Sequence, residues 1–210
     1  GKFQRVFDDV FEKTSLAEKL GNIQPTSFNG TFGDYDRDGF VDLFVGIRAQ
    51  PSKLLHNELG KTFVDVIGDS GIDVYISTGA GNTVYNLDWG ATFGGFDNDG
   101  YLDLFSASGP GGFKIYQNRE GKRFENITRM SRISIGQSAL SPAWGDFDND
   151  GYLDLVISDN LSGSRVYRNQ GDGSFRDVSH ELGIGPVNRN AMGIGWIDYN
   201  QDGAPDLYIT

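Results

Sequence analysis

The stretch that decides the fold is Asp146-Phe-Asp-Asn-Asp-Gly-Tyr-Leu-Asp154, a nine-residue run with four carboxylates and one glycine. Three other stretches have the same internal spacing: Asp34-Tyr-Asp-Arg-Asp-Gly-Phe-Val-Asp42, Gly95-Phe-Asp-Asn-Asp-Gly-Tyr-Leu-Asp103 and Asp198-Tyr-Asn-Gln-Asp-Gly-Ala-Pro-Asp206. We call the four stretches loops 1 to 4 in chain order, and number the residues of each loop as positions 1 to 9. They begin 61, 51 and 52 residues apart. A period of this length is typical of repeat architectures such as propellers and solenoids.

More of each unit repeats than the acidic loop. An asparagine lies 18 residues after the position-6 glycine in three units, at Asn57, Asn118 and Asn169, and a phenylalanine follows six residues later. Short alternating apolar stretches such as Asp206–Ile209 read as β-strands, and the glycine-containing pieces between them read as turns. Four short strands in about 50 residues are typical of one propeller blade.

We therefore predict an all-β protein, a β-propeller of four-stranded blades. The units are expected at residues 22–72, 73–133 and 134–184, with the first half of a further blade at 185–210. Residues 1–21 match the tail of a preceding or closing blade, and Ser15–Leu20 is the one short helical turn that we expect. A closed four-bladed ring is the alternative to part of a longer propeller.

Composition excludes several classes of function. The 210 residues include 30 glycines and carry a formal net charge of −11, which argues against a nucleic-acid partner. No run of 18 apolar residues exists, so we expect no membrane insertion. Cysteine is absent, which excludes disulfides, thiolate zinc sites and a cysteine nucleophile.

The acidic loops have the chemistry of a calcium site. Carboxylates at positions 1, 3, 5 and 9 of a tight loop converge on one point, and calcium accepts six to eight oxygen ligands in flexible geometry. The position-6 glycine permits the sharp turn, and position 7 would offer its backbone carbonyl. The loops hold 14 of the 29 acidic residues. Two carboxylates 4 Å apart repel by about 4 kcal/mol at an effective dielectric of 20, so each loop favours a cation. An EF-hand is excluded because position 12 is never Glu.

At these residues the chain resembles the FG-GAP/VCBS repeat family, which includes the calcium-binding blades of integrin α-subunits and of cartilage-acidic-protein-like secreted proteins. The resemblance is carried by 144–155 (WGDFDNDGYLDL) and 166–175 (VYRNQGDGSF). It implies a β-propeller, most often of about seven blades, with calcium in the hairpin between the first two strands of a blade. Gly95, Asn200 and Pro205 depart from the family pattern.

The resemblance also implies the ligands, with position 7 contributing its carbonyl. They are Asp34, Asp36, Asp38, Phe40 and Asp42 in loop 1; Asp97, Asp99, Tyr101 and Asp103 in loop 2; Asp146, Asp148, Asp150, Tyr152 and Asp154 in loop 3; and Asp198, Asn200, Asp202, Ala204 and Asp206 in loop 4. We expect three or four Ca²⁺ ions. Loop 2 is expected to be the weakest site because Gly95 removes one ligand and one charge.

These observations predict a calcium-binding module for adhesion, binding or scaffolding, with calcium in a structural role. Millimolar calcium outside the cytosol would fill such sites, so we expect a secreted, periplasmic or cell-surface location. The partner would be a protein or glycan, and the longest insertion, Asp73 to Leu87, is the candidate contact loop. Two alternatives remain open: a propeller-type enzyme acting on polysaccharide, and a structural repeat that self-associates through an open blade edge. We expect His56 and His180 to be surface residues and not catalytic bases.

Overall fold

The structure is a computed structural model that describes residues 27–47, 51–73, 75–77, 83–85, 88–108, 112–136, 139–159, 163–184 and 191–210. The predictions for residues 1–21, including the helical turn at Ser15–Leu20, lie outside the described residues.

The regular elements of the described part are all β-strands, so the predicted all-β class is confirmed there. The strands are β1 (Ser27–Gly33), β2 (Asp42–Ile47), β3 (Lys53–Glu58), β4 (Thr62–Asp65), β5 (Tyr75–Ser77), β6 (Thr83–Tyr85), β7 (Asp88–Gly94), β8 (Asp103–Ser108), β9 (Gly112–Arg119), β10 (Arg123–Asn126), β11 (Ala139–Gly145), β12 (Asp154–Asp159), β13 (Arg165–Asn169), β14 (Phe175–Asp177), β15 (Ile194–Ile197) and β16 (Asp206–Ile209).

Most strands form four-stranded antiparallel meanders in which sequence neighbours pair. Sheet 1 contains β1 to β4, sheet 2 contains β7 to β10, and sheet 3 contains β11 to β14. Strands β15 and β16 pair as a two-stranded sheet 4. Strands β5 and β6, which come between sheets 1 and 2 in the chain, pair with each other as a separate two-stranded sheet. The insertion at 73–87 therefore contains a β-hairpin.

The second strand of sheets 2 and 3 is buried on both faces, because another sheet packs on each side of it. All six residues of β12 are buried, and Leu155, Val156 and Ile157 are fully inaccessible to solvent. Alternating exposure would be expected if only one face of the sheet met a core. The burial pattern thus indicates sheets stacked face to face.

Separate apolar cores fill the spaces between successive sheets. Tyr35, Phe44, Leu104 and Tyr116 belong to the core between sheets 1 and 2. An equivalent core between sheets 2 and 3 contains buried Phe96, Phe105, Leu155 and Tyr167. The first strands of successive sheets also contact one another, β1 with β7, β7 with β11 and β11 with β15. Burial of these side chains at about 25 cal/mol per Å² of apolar area is what holds the sheets together.

The glycine that precedes a loop lets the next sheet approach closely. A Cβ added to Gly94 would lie 2.4 Å from Cδ1 of Trp144, and one added to Gly145 would lie 2.4 Å from Cδ1 of Trp196. No side chain fits at that distance, so the indole of one sheet packs directly on the backbone that enters the loop of the preceding sheet. Trp144 in turn stacks on Phe96, the position-2 residue of loop 2, with ring centroids 5.8 Å apart.

Candidate metal sites

Each acidic loop connects the first two strands of its sheet, which puts all four loops at equivalent places. The second strand starts at the position-9 aspartate, which pairs with the last residue of the first strand, as in Gly33 with Asp42 and Gly145 with Asp154. The loops are also in contact. Asn98 of loop 2 donates to the carbonyl of Gly151 in loop 3 (2.8 Å), and the Arg37 guanidinium lies 5.3 Å from the ring centroid of Tyr101.

Two left-handed residues close each loop. The φ angles of Asn149 at position 4 and Gly151 at position 6 are 56° and 88°, and the other loops repeat this pair. The carboxylate at position 1 then accepts two backbone amides. In loop 3, Asp146 accepts from Asp150 N (3.0 Å) and Gly151 N (2.9 Å). Loops 1 and 4 contain the same pair of bonds, whereas Gly95 offers no such acceptor in loop 2.

The position-9 aspartate is the buried end of each site in sheets 1 to 3. Asp103 is fully inaccessible to solvent and accepts hydrogen bonds from Phe96 N (2.9 Å) and Asn118 N (2.8 Å). Burial raises the pKa of Asp103 to about 8, which outweighs the lowering by those two amides. Burial likewise raises the pKa of Asp42 and that of Asp154 to about 6. These carboxylates are therefore costly to ionise without a nearby positive charge.

Carboxylate oxygens converge most closely in loops 1 and 3. Oxygens of Asp34, Asp36 and Asp38 lie within 4.8 Å of one another in loop 1, and oxygens of Asp146, Asp148 and Asp154 do so in loop 3. Among the described residues, these are the two loops in which at least three acidic side chains meet in this way. A further group joins Asp42 to Asp36 and His56, so the structure brings together seven of the predicted ligands.

Loops 2 and 4 have smaller acidic groups. In loop 2, position 1 is Gly95, which has no side chain. The carbonyl oxygen of Tyr101 at position 7 lies 3.0 Å from the place that a Cβ of Gly95 would take. In loop 4, Asn200 at position 3 donates to Asp202 Oδ2 (2.8 Å), and Asp198 and Asp202 accept backbone amides as in loop 1. The carboxylate count, and not the loop backbone, separates these loops from loops 1 and 3.

In sheets 1 to 3, the residue before the third-strand asparagine contacts the acidic loop of its own sheet, and sequence reasoning missed it. Nδ1 of His56 is buried and lies 3.2 Å from Asp36 Oδ2 and from Asp42 Oδ1. His56 is thus half-buried against the loop, and not the freely exposed surface residue that we expected, whereas His180 is exposed. Gln117 and Arg168 occupy the same repeat position. Their shared place directly before the asparagine was the signal that could have identified them.

The third-strand asparagines connect neighbouring sheets at the loops. The side-chain amide of Asn118 donates to the carbonyl of Tyr35 in loop 1 (2.8 Å) and to that of Leu102 in loop 2 (2.9 Å). Its side-chain oxygen accepts the amide of Gly121 (2.9 Å). Asn169 makes the equivalent bonds to Phe96 and Leu153. One buried side chain therefore fixes two loops at once.

The donors of loops 1 and 3 fit a hard divalent cation. Carboxylate and carbonyl oxygens are the ligands that calcium takes, and a zinc site would require more nitrogen or sulfur donors. The buried position-9 carboxylates, with their raised pKa values, mark the places where positive charge would lower the electrostatic free energy most. None of the described segments forms a helix with the length and hydropathy that crossing a bilayer requires.

Comparison with known proteins agrees with the repeat. The chain is 25% identical over 180 residues to cartilage acidic protein 1 of Mus musculus, a match that covers 80% of this chain and 26% of that protein. The chain thus spans about a quarter of the length of that curated relative. The crystal structure of the major Malassezia sympodialis allergen Mala s 1 is similar in fold, with a TM-score of 0.54 and 13% identity over 94% of this chain and 54% of the allergen.

The sequence model of the FG-GAP-like repeat matches residues 95–157 and 148–209, which together make up more than half of the chain. These segments contain loops 2, 3 and 4 and strands β8 to β16. The chain therefore belongs to the FG-GAP-like repeat family.

Proposed function

We propose that this chain is a calcium-stabilised part of a β-propeller that acts outside the cytosol as a binding or scaffold module. The observation that carries the proposal is the repetition of one acidic loop at the same connection of four successive sheets. In loops 1 and 3 the carboxylates of at least three side chains meet within 4.8 Å, which suits a divalent cation.

The propeller is supported by the way the sheets stack. Successive sheets pack face to face through apolar cores, and their first strands lie next to one another. We propose one blade each for 22–72, 73–133 and 134–184, with 185–210 beginning a further blade and 1–21 ending another. The structural similarity to the Malassezia allergen supports the all-β fold.

The proposed ligands have different structural roles within a loop. The position-1 carboxylate braces the backbone amides of positions 5 and 6, and position 9 ties the loop to the second and third strands. Bound calcium would supply the positive charge that the convergent carboxylates lack. Bound calcium would then hold the loop residues in one arrangement. It would stabilise the fold as disulfides do in other extracellular domains.

The proposed location rests on calcium concentration. Extracellular calcium modules have dissociation constants of about 10⁻⁴–10⁻³ M, so millimolar calcium fills them and cytosolic calcium does not. We propose a protein or glycan partner that contacts the β5–β6 insertion at 73–87. The net charge of −11 favours a partner that is basic or that itself binds calcium.

The direct test is thermal unfolding in chelator and in 5 mM calcium. At five to fifty times the dissociation constant, each site adds about 1 to 2 kcal/mol. Two filled sites should therefore raise the unfolding midpoint by about 5 °C or more in a protein of this size. An unchanged midpoint would contradict the structural role of calcium.

Matched variants locate the effect. Asp38→Asn and Asp150→Asn each remove one charge but keep an oxygen for the position-7 amide, which lies 2.8 Å from Asp38 Oδ1 and 3.0 Å from Asp150 Oδ1. Each should reduce the calcium-induced shift. Glu58→Gln removes one exposed charge outside the loops and should leave the shift unchanged.

Two assays address the alternative functions. Incubation with acidic polysaccharides, read by ultraviolet absorbance and by product size, would reveal polysaccharide cleavage and replace the binding role with an enzymatic one. Light scattering over a hundredfold range of protein concentration would reveal self-association. Association that depends on concentration but needs no ligand would favour the structural repeat protein.

A further inference from the structure

We propose that the residue directly before the third-strand asparagine sets the cation affinity of the loop in its own sheet, and that Arg168 acts as a built-in competitor at loop 3. This inference rests on the proposed calcium function and deepens it. It assigns a role to three side chains that the ligand pattern of the loops does not include, namely His56, Gln117 and Arg168.

The geometry is clearest at loop 3. Arg168 Nε lies 2.7 Å from Asp148 Oδ2, and its Nη2 lies 3.2 Å from Asp150 Oδ2. These oxygens belong to positions 3 and 5, two of the predicted calcium ligands. A guanidinium is charged at every accessible pH, and its several N–H groups allow it to pair with two carboxylates at once. The chain thus places its own cation against two ligands of the site.

The other two sheets place an uncharged amide and an imidazole at the same point. Gln117 donates from Nε2 to Asp97 Oδ2, again at position 3. His56 Nδ1 lies 3.2 Å from Asp36 Oδ2, also at position 3. The contact with the position-3 carboxylate is therefore a property of the repeat, and the chemical type of the contacting residue is what varies between sheets.

The charges around each loop determine the expected order of affinities. Loop 3 has four carboxylates, but Arg168 offsets one of them, which leaves the same net charge as the three carboxylates of loop 2 beside neutral Gln117. Arg168 also occupies oxygens that a cation needs. Loop 3 is therefore not the stronger site that its four carboxylates suggest.

The test is a reciprocal exchange, Arg168→Gln and Gln117→Arg, in the full chain. Calcium is titrated while the backbone amide signals of the position-6 glycines are followed by two-dimensional ¹⁵N NMR, which reports each loop separately. The Gly151 amide donates to the position-1 carboxylate (2.9 Å), so its signal senses the ligands directly. Removing a unit charge about 5 Å from a divalent ion should tighten loop 3 by about tenfold or more. Gln117→Arg should weaken loop 2 by a similar factor.

Arg176→Gln is the matched control. Arg176 pairs with Arg168 across strands β13 and β14, but its guanidinium contacts Glu181 and not the loop. It removes the same charge from the same sheet. The inference requires that Arg176→Gln changes the affinity of loop 3 by much less than Arg168→Gln does, and that loop 1 is unchanged in both variants.

A second readout measures the stability of the fold instead of the calcium affinity of a loop. In chelator, Arg168→Gln should unfold at lower urea concentration than the wild type, because the loop 3 carboxylates lose a neutralising partner. In saturating calcium this deficit should shrink or reverse, since binding adds stability according to affinity. A deficit of equal size in both conditions would overturn the inference.

The outcomes separate this inference from the proposed function. If the wild type binds calcium and the exchanges leave the affinities of loops 2 and 3 unchanged, the role of Arg168 falls and the calcium function stands. If loop 3 binds calcium only in Arg168→Gln, the competitor role is supported. If neither protein binds calcium at any loop, both the function and the inference fall.

Discussion

The stability of the calcium-free protein should decrease as pH rises from about 5 to about 7. The reason lies in the position-9 aspartates, which are buried at the ends of the loops. Burial raises the pKa of Asp103 to about 8 and that of Asp42 and Asp154 to about 6. The folded state therefore holds these protons more tightly than the unfolded chain, in which an aspartate titrates near 3.9.

The sign of the pH dependence comes from proton counting. Between the unfolded and folded pKa values, the folded state carries more protons than the unfolded state, so the free energy of unfolding falls as pH rises. The slope is about 1.4 kcal/mol per pH unit for each fully linked group. Asp103 alone should thus remove about 2.7 kcal/mol between pH 5 and pH 7. Asp42 and Asp154 add to this loss mainly below pH 6.

Calcium should reverse this dependence, because it binds the ionised carboxylates and releases their protons. The assay is urea unfolding at pH 5, 6 and 7, once in EDTA and once in 5 mM calcium. Asp103→Asn removes the titrating group and keeps one acceptor oxygen. In EDTA, the free energy of unfolding of this variant should therefore fall less steeply with pH, by about the contribution of one proton. Stability that rises with pH in EDTA, or an unchanged slope in Asp103→Asn, would refute the reasoning.

The loops and their connections support three further predictions. Asn118→Ala leaves two backbone carbonyls and one amide without their side-chain partner, so the free energy of unfolding should fall by about 3 kcal/mol or more in a denaturant titration. The decrease should be smaller for Asn57→Ala, because Asn57 is only half-buried. Gly95→Asp restores a position-1 carboxylate beside the Tyr101 carbonyl and should strengthen calcium binding at loop 2, read at the amide of its position-6 glycine. Replacing residues 75–85 by a short Gly-Ser linker should leave the thermal midpoint within about 2 °C, because the four-stranded sheets do not include this hairpin.

The strands and loops were accessible to sequence reasoning because their determinants are local. The residues of a loop lie within nine positions of one another, and the strand predicted at Asp206–Ile209 matches β16. Turn residues and alternating apolar residues carry this information in short windows. The repeat strengthened the prediction, since four similar loops with the same internal spacing are much stronger evidence than one loop.

The contacts between sheets, and those between a loop and the third strand of its own sheet, could not be read in the same way. The repeat pattern assigns position 2 to the loop, yet Phe96 is buried and stacks on Trp144 of the next sheet, 48 residues later in the chain. His56 differs in chemical type from its repeat partners, which by itself predicts a variable surface residue. Its contact with Asp36 depends on the register of β2 and β3 and on the path of the loop, and a sequence window contains neither.

The loops also depend on one another, which has a consequence for how small a functional piece can be. The side-chain amide of Asn118 holds the carbonyls of Tyr35 and Leu102, which belong to loops of two different sheets. Asn149 of loop 3 likewise donates to Gly203 in loop 4 (3.3 Å). A single repeat would lose these inter-sheet bonds together with the apolar core on each face, so its carboxylates would not be held in the arrangement that a cation needs. The cation binding that we propose would therefore be a property of stacked sheets, in which each sheet completes the loop of its neighbour.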